Sequence, residues 1–558
     1  MPDIEDIFAF EFSDKTLGQQ LRDIAAKYPD NDALVYVDRD FRQTWREFDQ
    51  SVDEMAKGLM ALGVKRGEKV AVWATNVPHW VTLMFATARI GGIYLTINTN
   101  YRDHELDFVL KQSDMENLFL IDGYRDHDYI DTLCRLIPEI RTQPRGQLRS
   151  ETYPHFRRAL FLGAEKHRGF YSMPELIGMG AAMVSDQEFA ARQAEVNCED
   201  VVMMQYTSGT TGFPKGVMLT HANLINNGSS VAKRQAFDQN DRICLPVPMF
   251  HCFGCSLGVM GSVSSAATMV ILESFKALHV MASIDQEKCT AMYGVPTMFL
   301  NVLEHKMFRH FDYSTMRTGI MAGSVCPEPV MRRTADELNM TEITSVYGLT
   351  ESSPGMTQSH CKVDSLDRRV TTVGRRFPGI DVRVLDPETG EECPRGVPGE
   401  VCCQGHNVMK GYYKMPEETA EAIKNGWLHS GDLGIMDEEG YVLITGRIKD
   451  LIIRGGENIS PKEVEEFLYS VEGVEDVQVV GVPSRKYGEE VGAFIIPKKG
   501  YENLAPEDVK DACRGQISWY KIPRFVAMVK EFPLTASGKI QKFKLRELAA
   551  EIFPEAMP

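Results

Sequence analysis

Eleven residues, Tyr206-Thr207-Ser208-Gly209-Thr210-Thr211-Gly212-Phe213-Pro214-Lys215-Gly216, carry four aliphatic hydroxyls, three glycines and one lysine. That mixture suits a polyphosphate. Glycines let backbone N–H groups wrap an anion, hydroxyls add donors and the lysine adds full charge. The spacing is not that of G-x-x-x-x-G-K-[ST], because Gly216 follows the lysine. The bland alternative is a Gly/Thr-rich hairpin turn, which gives no reason for a lysine behind a proline.

Four further segments carry chemistry. Tyr347-Gly348-Leu349-Thr350-Glu351 follows an apolar, strand-like run from Ile343. An aromatic ring at a strand end can stack on a purine, and Thr350 with Glu351 can hold a phosphate oxygen and Mg²⁺. Taken alone it also reads as a helix N-terminus with an acidic first turn. His429-Ser430-Gly431-Asp432 places an aspartate on a glycine turn, suited to a ribose diol or to an ordinary Asp turn. Gly446-Arg447-Ile448-Lys449-Asp450 and Arg454-Gly455-Gly456 bring charge beside a flexible glycine pair. Near the end, Pro533-Leu534-Thr535-Ala536-Ser537-Gly538-Lys539 presents a lysine on a small-residue loop, in isolation an ordinary exposed lysine.

The elements that must hold these groups alternate. Lys69–Ala74, Ile93–Ile97, Asn117–Asp122, Thr268–Leu272 and Ile320–Ala322 read as strands, and His79–Ile90 as a helix. Strand–helix–strand alternation predicts an α/β fold of largely parallel sheets covered on both faces. From about 381 to 448 short strands between Gly/Pro turns (Asp381–Leu385, Gly399–Cys403, Tyr441–Ile444) predict a small β-rich subdomain. Beyond that an α+β unit is expected. It would hold a capping box at Ser460-Pro461-Lys462-Glu463 opening a helix to Tyr469, strands near Val477–Val480 and Gly492–Ile496, a helix near Pro506–Ile517 and a strand at Arg524–Val529. The expected domains are 1–448 and 449–558. Five arginines between Arg141 and Arg158 read as a solvated connecting loop, with an anion-contacting loop as the alternative.

Composition narrows the function. The 558 residues are 43 % hydrophobic and 25 % charged, ordinary for a globular protein. A net charge of −17 argues against a nucleic-acid-binding body, which needs a basic face. Twelve scattered cysteines suit a reducing compartment. With no long apolar run and an acidic start (Asp3, Glu5, Asp6), a cytoplasmic location is expected.

Together and in this order, the five segments resemble the core motifs of the adenylate-forming superfamily: acyl-CoA synthetases, adenylation domains and luciferase-like enzymes. The likeness is greatest to a medium- to long-chain fatty acyl-CoA synthetase. It implies two half-reactions. A carboxylate attacks the α-phosphate of ATP and releases pyrophosphate; the CoA thiol then attacks the acyl carbon and releases AMP. It also implies roles. Thr207, Ser208, Gly209, Thr210, Thr211, Gly212 and Lys215 would grip the β- and γ-phosphates. Tyr347 and Gly348 would hold adenine, with Gly323, Ser324 and Ile444 lining the base pocket. Thr350 would contact the α-phosphate, Glu351 would bind Mg²⁺, and Asp432 with Arg447 would hold the ribose. Lys539, on a mobile C-terminal domain turning about Lys449, would serve the first half-reaction only. Gly455 and Gly456 would face the CoA pantetheine in the second.

The acyl pocket implied by the resemblance uses Phe250, His251, Val295, Ala322 and Gly323. Amino-acid-activating relatives usually carry an aspartate just after the Phe; His251 stands there, so a fatty acid, of medium chain length, is expected, with an aryl acid as runner-up. Two other function classes compete. Gly254-Cys255-Ser256-Leu257-Gly258 fits G-x-S-x-G, the nucleophile elbow of a serine thioesterase. A non-catalytic adenylate-binding protein would keep the same charged positions. Cys252/Cys255 and Cys402/Cys403 lack the second half of a zinc site and read as buried small hydrophobes. A homodimer is compatible with the sequence.

Overall fold

The computed structural model describes residues 9, 11–207, 214–324, 326–454, 457–484, 486–535 and 540–553, with Asn458 as backbone alone. The chain forms two compact units, Met1–Val382 with Cys403–Leu428, and Arg383–Cys402 with His429–Pro558. The division falls inside three strands, Ile380–Leu385, Gly399–Gly405 and Trp427–Met436.

The first unit is a mixed α/β body built on two large sheets. One has nine strands, and its centre is six parallel neighbours in the order Glu342–Gly348, Thr318–Met321, Ala291–Gly294, Arg242–Leu245, Thr268–Ile271, Asp32–Tyr36. Antiparallel strands close both edges. The other has eight strands. Its parallel run ends at Val201–Thr207, which pairs antiparallel with Lys215–Thr220, itself capped by Gly411–Tyr412. The expected strands form, with small shifts: Asn117–Leu120 stops two residues early, and Thr318–Met321 starts two early and leaves Ala322 outside. Lys69–Trp73 is buried along its length, as a strand covered on both faces must be. The helix His79–Arg89 is nearly all buried as well.

The arginine-rich connection from Arg141 to Arg158 is bound up locally. Arg141 reaches Asp131, Arg145 reaches Glu175 and lies over the Tyr171 ring, Arg157 donates to the Pro154 carbonyl and Arg158 to Asn117. These bonds hold the connecting segment to the body of the first unit.

The second unit contains a mixed five-stranded sheet (Glu457–Ile459, Ile452–Arg454, Gly488–Pro497, Val474–Ser484, Phe525–Met528) with helices Pro461–Leu468, Pro506–Cys513 and Lys542–Ile552. Its two longest strands, Val474–Ser484 and Gly488–Pro497, are longer than their sequence suggested, because ten register pairs run from Val474–Pro497 to Ser484–Gly488. Both faces of this pair are covered: Val477, Val479, Val491 and Ile495 face one core, Val480, Val482 and Phe494 the other. Two expectations are corrected. The Ser460 hydroxyl donates to the Thr445 carbonyl instead of capping the helix that follows. The Pro506 helix ends at Cys513, short of Ile517.

Candidate active site

Four neighbouring parallel strands of the nine-stranded sheet end on the same side, and each carries a sequence-predicted segment at its C-terminal end. Arg242–Leu245 leads to Phe250 and His251. Ala291–Gly294 leads to Val295, Thr318–Met321 to Ala322, Gly323 and Ser324, and Glu342–Gly348 contains Tyr347 and leads to Thr350 and Glu351. The C-terminal edge of a parallel sheet is where open α/β folds bind ligands, since the loops there diverge and leave a crevice.

Local bonds fix these loops. Gly323 sits at φ +88, open to glycine and strained for other residues. At Gly348 a Cβ would lie 1.8 Å from the Pro354 carbonyl oxygen, so the bare backbone is required for the chain to pass. Beyond it Thr350–Ser352 makes one tight helical turn, not a longer helix. Asn227, buried in the helix His221–Arg234, accepts from Gly355 N–H (3.1 Å) and donates back to the Gly355 carbonyl (2.8 Å). That helix is itself set by a reciprocal cap between Thr220 and Asn223. Thr350 Oγ1 lies 3.5 Å from Cys252 Sγ, next to His251, whose Nδ1 accepts from Phe253 N–H at 3.2 Å. The nucleotide-type and acyl-type motifs are therefore adjacent.

The glycine-rich stretch closes a hairpin: Thr207 and Lys215 face each other at its stem. The turn reading thus describes its topology but leaves its lysine unexplained. Ser208, Gly209, Thr210, Thr211 and Gly212 lie outside the described residues. The Lys215 ammonium sits 4.9 Å above the Tyr412 ring and has no carboxylate partner among the described residues. The Tyr412 hydroxyl donates to Glu351 Oε1 at 2.8 Å. Burial first, and the Glu351 charge second, push this phenol well above its ordinary pKa, so it stays a donor. Lys215, Tyr412 and Glu351 form one cluster, with a cation uncommitted to any acid and a carboxylate with one oxygen engaged. A hard oxygen donor of this kind fits Mg²⁺, which takes one or two carboxylates beside substrate phosphates.

In the second unit Asp432 lies within the strand Trp427–Met436 rather than on a free turn, opposite Arg447 in the adjoining Val442–Arg447 strand. Its Oδ1 accepts from Arg447 Nε at 2.7 Å; the acid is buried and the guanidinium half exposed. Glu400 supports this segment, accepting from Gly431 N–H (2.8 Å) and bonding His429 Nδ1 (2.7 Å). The Ile444 carbonyl accepts from the Lys462 ammonium. Lys449 is exposed, and Gly455, Gly456 and Lys539 lie outside the described residues.

The elbow reading of Ser256 is withdrawn. The residue is buried inside the helical segment Phe253–Val259, not on a strand-to-helix turn that would present it. Its neighbour Cys255 is equally enclosed, and burial pushes that thiol up to about 12.

The signature of AMP-binding enzymes matches residues 21–413, and that of the AMP-binding enzyme C-terminal domain matches 463–539. The chain belongs to the AMP-binding enzyme family. Its relatives place it among the acyl-CoA synthetases. It is 48 % identical over 544 residues to the putative acyl-CoA synthetase YngI of Bacillus subtilis (strain 168), covering 97 % of this chain and 98 % of the relative. It is 39 % identical to the mitochondrial medium-chain acyl-CoA ligase ACSF2 of Danio rerio, covering 95 % and 88 %. The ATP-bound MatB structure from Rhodopseudomonas palustris shares 28 % identity, with a TM-score of 0.81 over 96 % of this chain and 99 % of that one. For an AMP-binding enzyme, Tyr412, Asn227 and Glu400 are the side chains that sequence reasoning passed over. Lys410-Gly411-Tyr412-Tyr413 has no periodicity that singles out Tyr412. No helix among the described residues is long and apolar enough to cross a membrane.

Proposed function

We propose that this enzyme is an ATP-dependent acid–thiol ligase that converts a fatty acid, of medium chain length, to its acyl-CoA through an acyl-adenylate. The observation that carries the reading is the shared strand edge, where Phe250/His251, Val295, Ala322–Ser324 and Tyr347–Glu351 emerge side by side. The names of the two relatives, one a medium-chain ligase, support the substrate class.

In the first half-reaction a carboxylate oxygen of the acid attacks the α-phosphorus of ATP, and the bond to the pyrophosphate oxygen breaks. Tyr347 stacks on the base, beside Gly348, Gly323 and Ser324. Asp432, held by Arg447, accepts from the ribose hydroxyls. Lys215 and the Thr207–Gly212 stretch take the leaving pyrophosphate, and Thr350 donates to the α-phosphate. Bound Mg²⁺, held by Glu351, would neutralise phosphate charge. Lys539 adds its charge at the reacting oxygens. No protein nucleophile is needed, and donors aimed at developing negative charge supply the acceleration. In the second half-reaction the CoA thiolate attacks the acyl carbon and AMP leaves. Residues 449–558 turn about Lys449, withdrawing Lys539 and bringing Gly455–Gly456 to the pantetheine. A cytoplasmic location fits twelve cysteines scattered along the chain.

The deciding measurement is acid-dependent ATP–pyrophosphate exchange, across short, medium and long fatty acids and benzoate-like acids, then acyl-CoA formation on adding CoA. Exchange strongest with medium-chain acids, followed by thioester, supports the proposal. Tight ATP binding with no exchange for any acid indicates a silent binding protein, and preference for ring acids indicates an aryl ligase. Lys539→Ala is expected to slow exchange by roughly 10²–10³-fold. It should leave thioester formation from supplied acyl-adenylate far less changed; equal loss in both would defeat the two-conformation scheme.

A further inference from the structure

Three side chains of the second unit, Glu400, Cys402 and His429, converge beside the Asp432 segment, and neither half-reaction assigns any of them a contact with the reacting atoms. Glu400 and Cys402 are two apart on the strand Gly399–Gly405, so they project from the same face. His429 comes from the neighbouring hydrogen-bonded strand, Trp427–Met436. Their ligand atoms all lie within 4.8 Å of one another. His429 Nδ1 is the common point, 2.7 Å from Glu400 Oε2 and 3.5 Å from Cys402 Sγ. One ring nitrogen carries either one hydrogen or one lone pair. It therefore cannot donate to the carboxylate and accept from the thiol together.

We infer that Glu400, Cys402 and His429 form a binding site for a soft divalent transition metal of the zinc class. Sulfur, imidazole nitrogen and one carboxylate oxygen make a donor set that zinc, cobalt and copper favour and that magnesium and calcium do not. Distance agrees with chemistry. With Zn–S of about 2.3 Å and Zn–N of about 2.0–2.1 Å, a tetrahedral ion holds sulfur and nitrogen about 3.5 Å apart, the separation found here. Nitrogen and oxygen ligands would stand about 3.3 Å apart on the same geometry, so the carboxylate need withdraw from its present 2.7 Å by only a fraction of an ångström.

The surroundings suit a rigid site. Cys402 is fully buried and the Glu400 side chain is 10 % exposed, while the His429 ring keeps 19 % and gives the ion a way in. The second carboxylate oxygen already accepts from Gly431 N–H, an outer bond that orients the ligand oxygen and need not break. On binding, the Cys402 thiol gives its proton to solvent and the sulfur binds as thiolate. The imidazole moves its hydrogen to Nε2 and binds through Nδ1. The fourth position is left to water. In the sequence Cys402 reads as a small hydrophobe because its partners are Glu400 and His429, the latter 27 residues further along the chain, rather than a second cysteine pair.

The test is titration of metal-free full-length enzyme with Co²⁺, read by absorption. The expected result is one equivalent bound, with tetrahedral d–d bands and a thiolate-to-cobalt charge-transfer band that added Zn²⁺ removes. Cys402→Ser, which keeps the volume, should abolish the charge-transfer band. His429→Asn should weaken binding by at least about tenfold, since losing even an outer-shell partner costs 10–100-fold. Both variants should retain the metal-free thermal midpoint. No charge-transfer band in the wild type, or a band unchanged in Cys402→Ser, overturns the site. Should a variant not fold, anomalous scattering from a zinc-soaked wild-type crystal decides, by a peak at these three side chains or by none.

Discussion

Lys215 and Arg447 are the two cations that the proposal sets against the nucleotide, and their surroundings differ. Lys215 stands over the Tyr412 ring with no carboxylate partner among the described residues. Arg447 is already joined to Asp432. A polyphosphate arrives with several negative charges, and a cation kept off any acid meets it at full strength. A ribose arrives neutral and needs an acceptor held still. For that, an acid with its own cation is suited, because burying an unpaired carboxylate is costly. The open charge of Lys215 thus suits a charged phosphate tail, and the closed pair at Asp432 suits a neutral sugar.

Replacements can break or sharpen that contrast. The largest effect is expected from Lys215→Ala, which removes the open charge and should cut pyrophosphate exchange by about 10²–10³-fold. Arg447→Ala should cost far less at saturating ATP. Equal losses would show that the two cations do the same work. Asp432→Asn should raise the KM for ATP by about 10–100-fold, the scale of a hydrogen bond to a charged group, with a smaller change in kcat. Tyr412→Phe removes the hydroxyl on Glu351 and leaves the ring under Lys215. It should shift the magnesium dependence of exchange by about tenfold, as one charged hydrogen bond does, while the KM for the acid holds.

A pH series sharpens the contrast at the level of stability. In the first unit burial pushes His221 down to about 3 and His360 to about 4. Each is neutral when folded and binds a proton on unfolding near the ordinary histidine value of about 6.5. Their contribution is complete above that value and is lost as pH falls toward the folded values. The loss is up to about 1.4 kcal/mol per pH unit for each group. Denaturant midpoints between pH 7 and 4.5 should fall accordingly. His221→Asn, whose side-chain oxygen can still accept from Leu17 N–H as Nδ1 does, should flatten the slope. The smallest effect is expected from Glu400→Gln. It keeps an acceptor for Gly431 N–H but loses the charge on His429, and should raise the KM for ATP a few-fold.

Much of the site was legible because its chemistry is local in sequence. Tyr347 through Glu351 occupies five consecutive residues at the end of a strand-like run, and the run is the strand that presents them. The parallel sheets were legible for the same reason: Lys69–Trp73 and Ile93–Thr96 read as buried strands from their own residues. What escaped were partners made by folding. Tyr412 reaches Glu351 across 61 residues and Asn227 reaches Gly355 across 128, so no spacing rule connects them. Ser460 misled because its hydroxyl has two acceptable uses, a helix cap or the Thr445 carbonyl, and only packing selects between them. Ser256 offered a rival reading because a five-residue pattern of small residues suits a buried helical segment as well as an elbow.

Each of the four segments at the common sheet edge rides on its own strand. Residues after Leu245 and Gly294 take no part in the pairing of Glu342–Gly348, which runs with Thr318–Met321 and Gly355–Gln358. In the proposed acyl pocket, the segments set to meet the acid and those set to meet the nucleotide sit on separate strands, so the first can vary with less disturbance of the second. A change of preferred acid on transplanting positions 248–254 and 295 from a relative with another preference, with the KM for ATP held, is the outcome the proposed pocket expects.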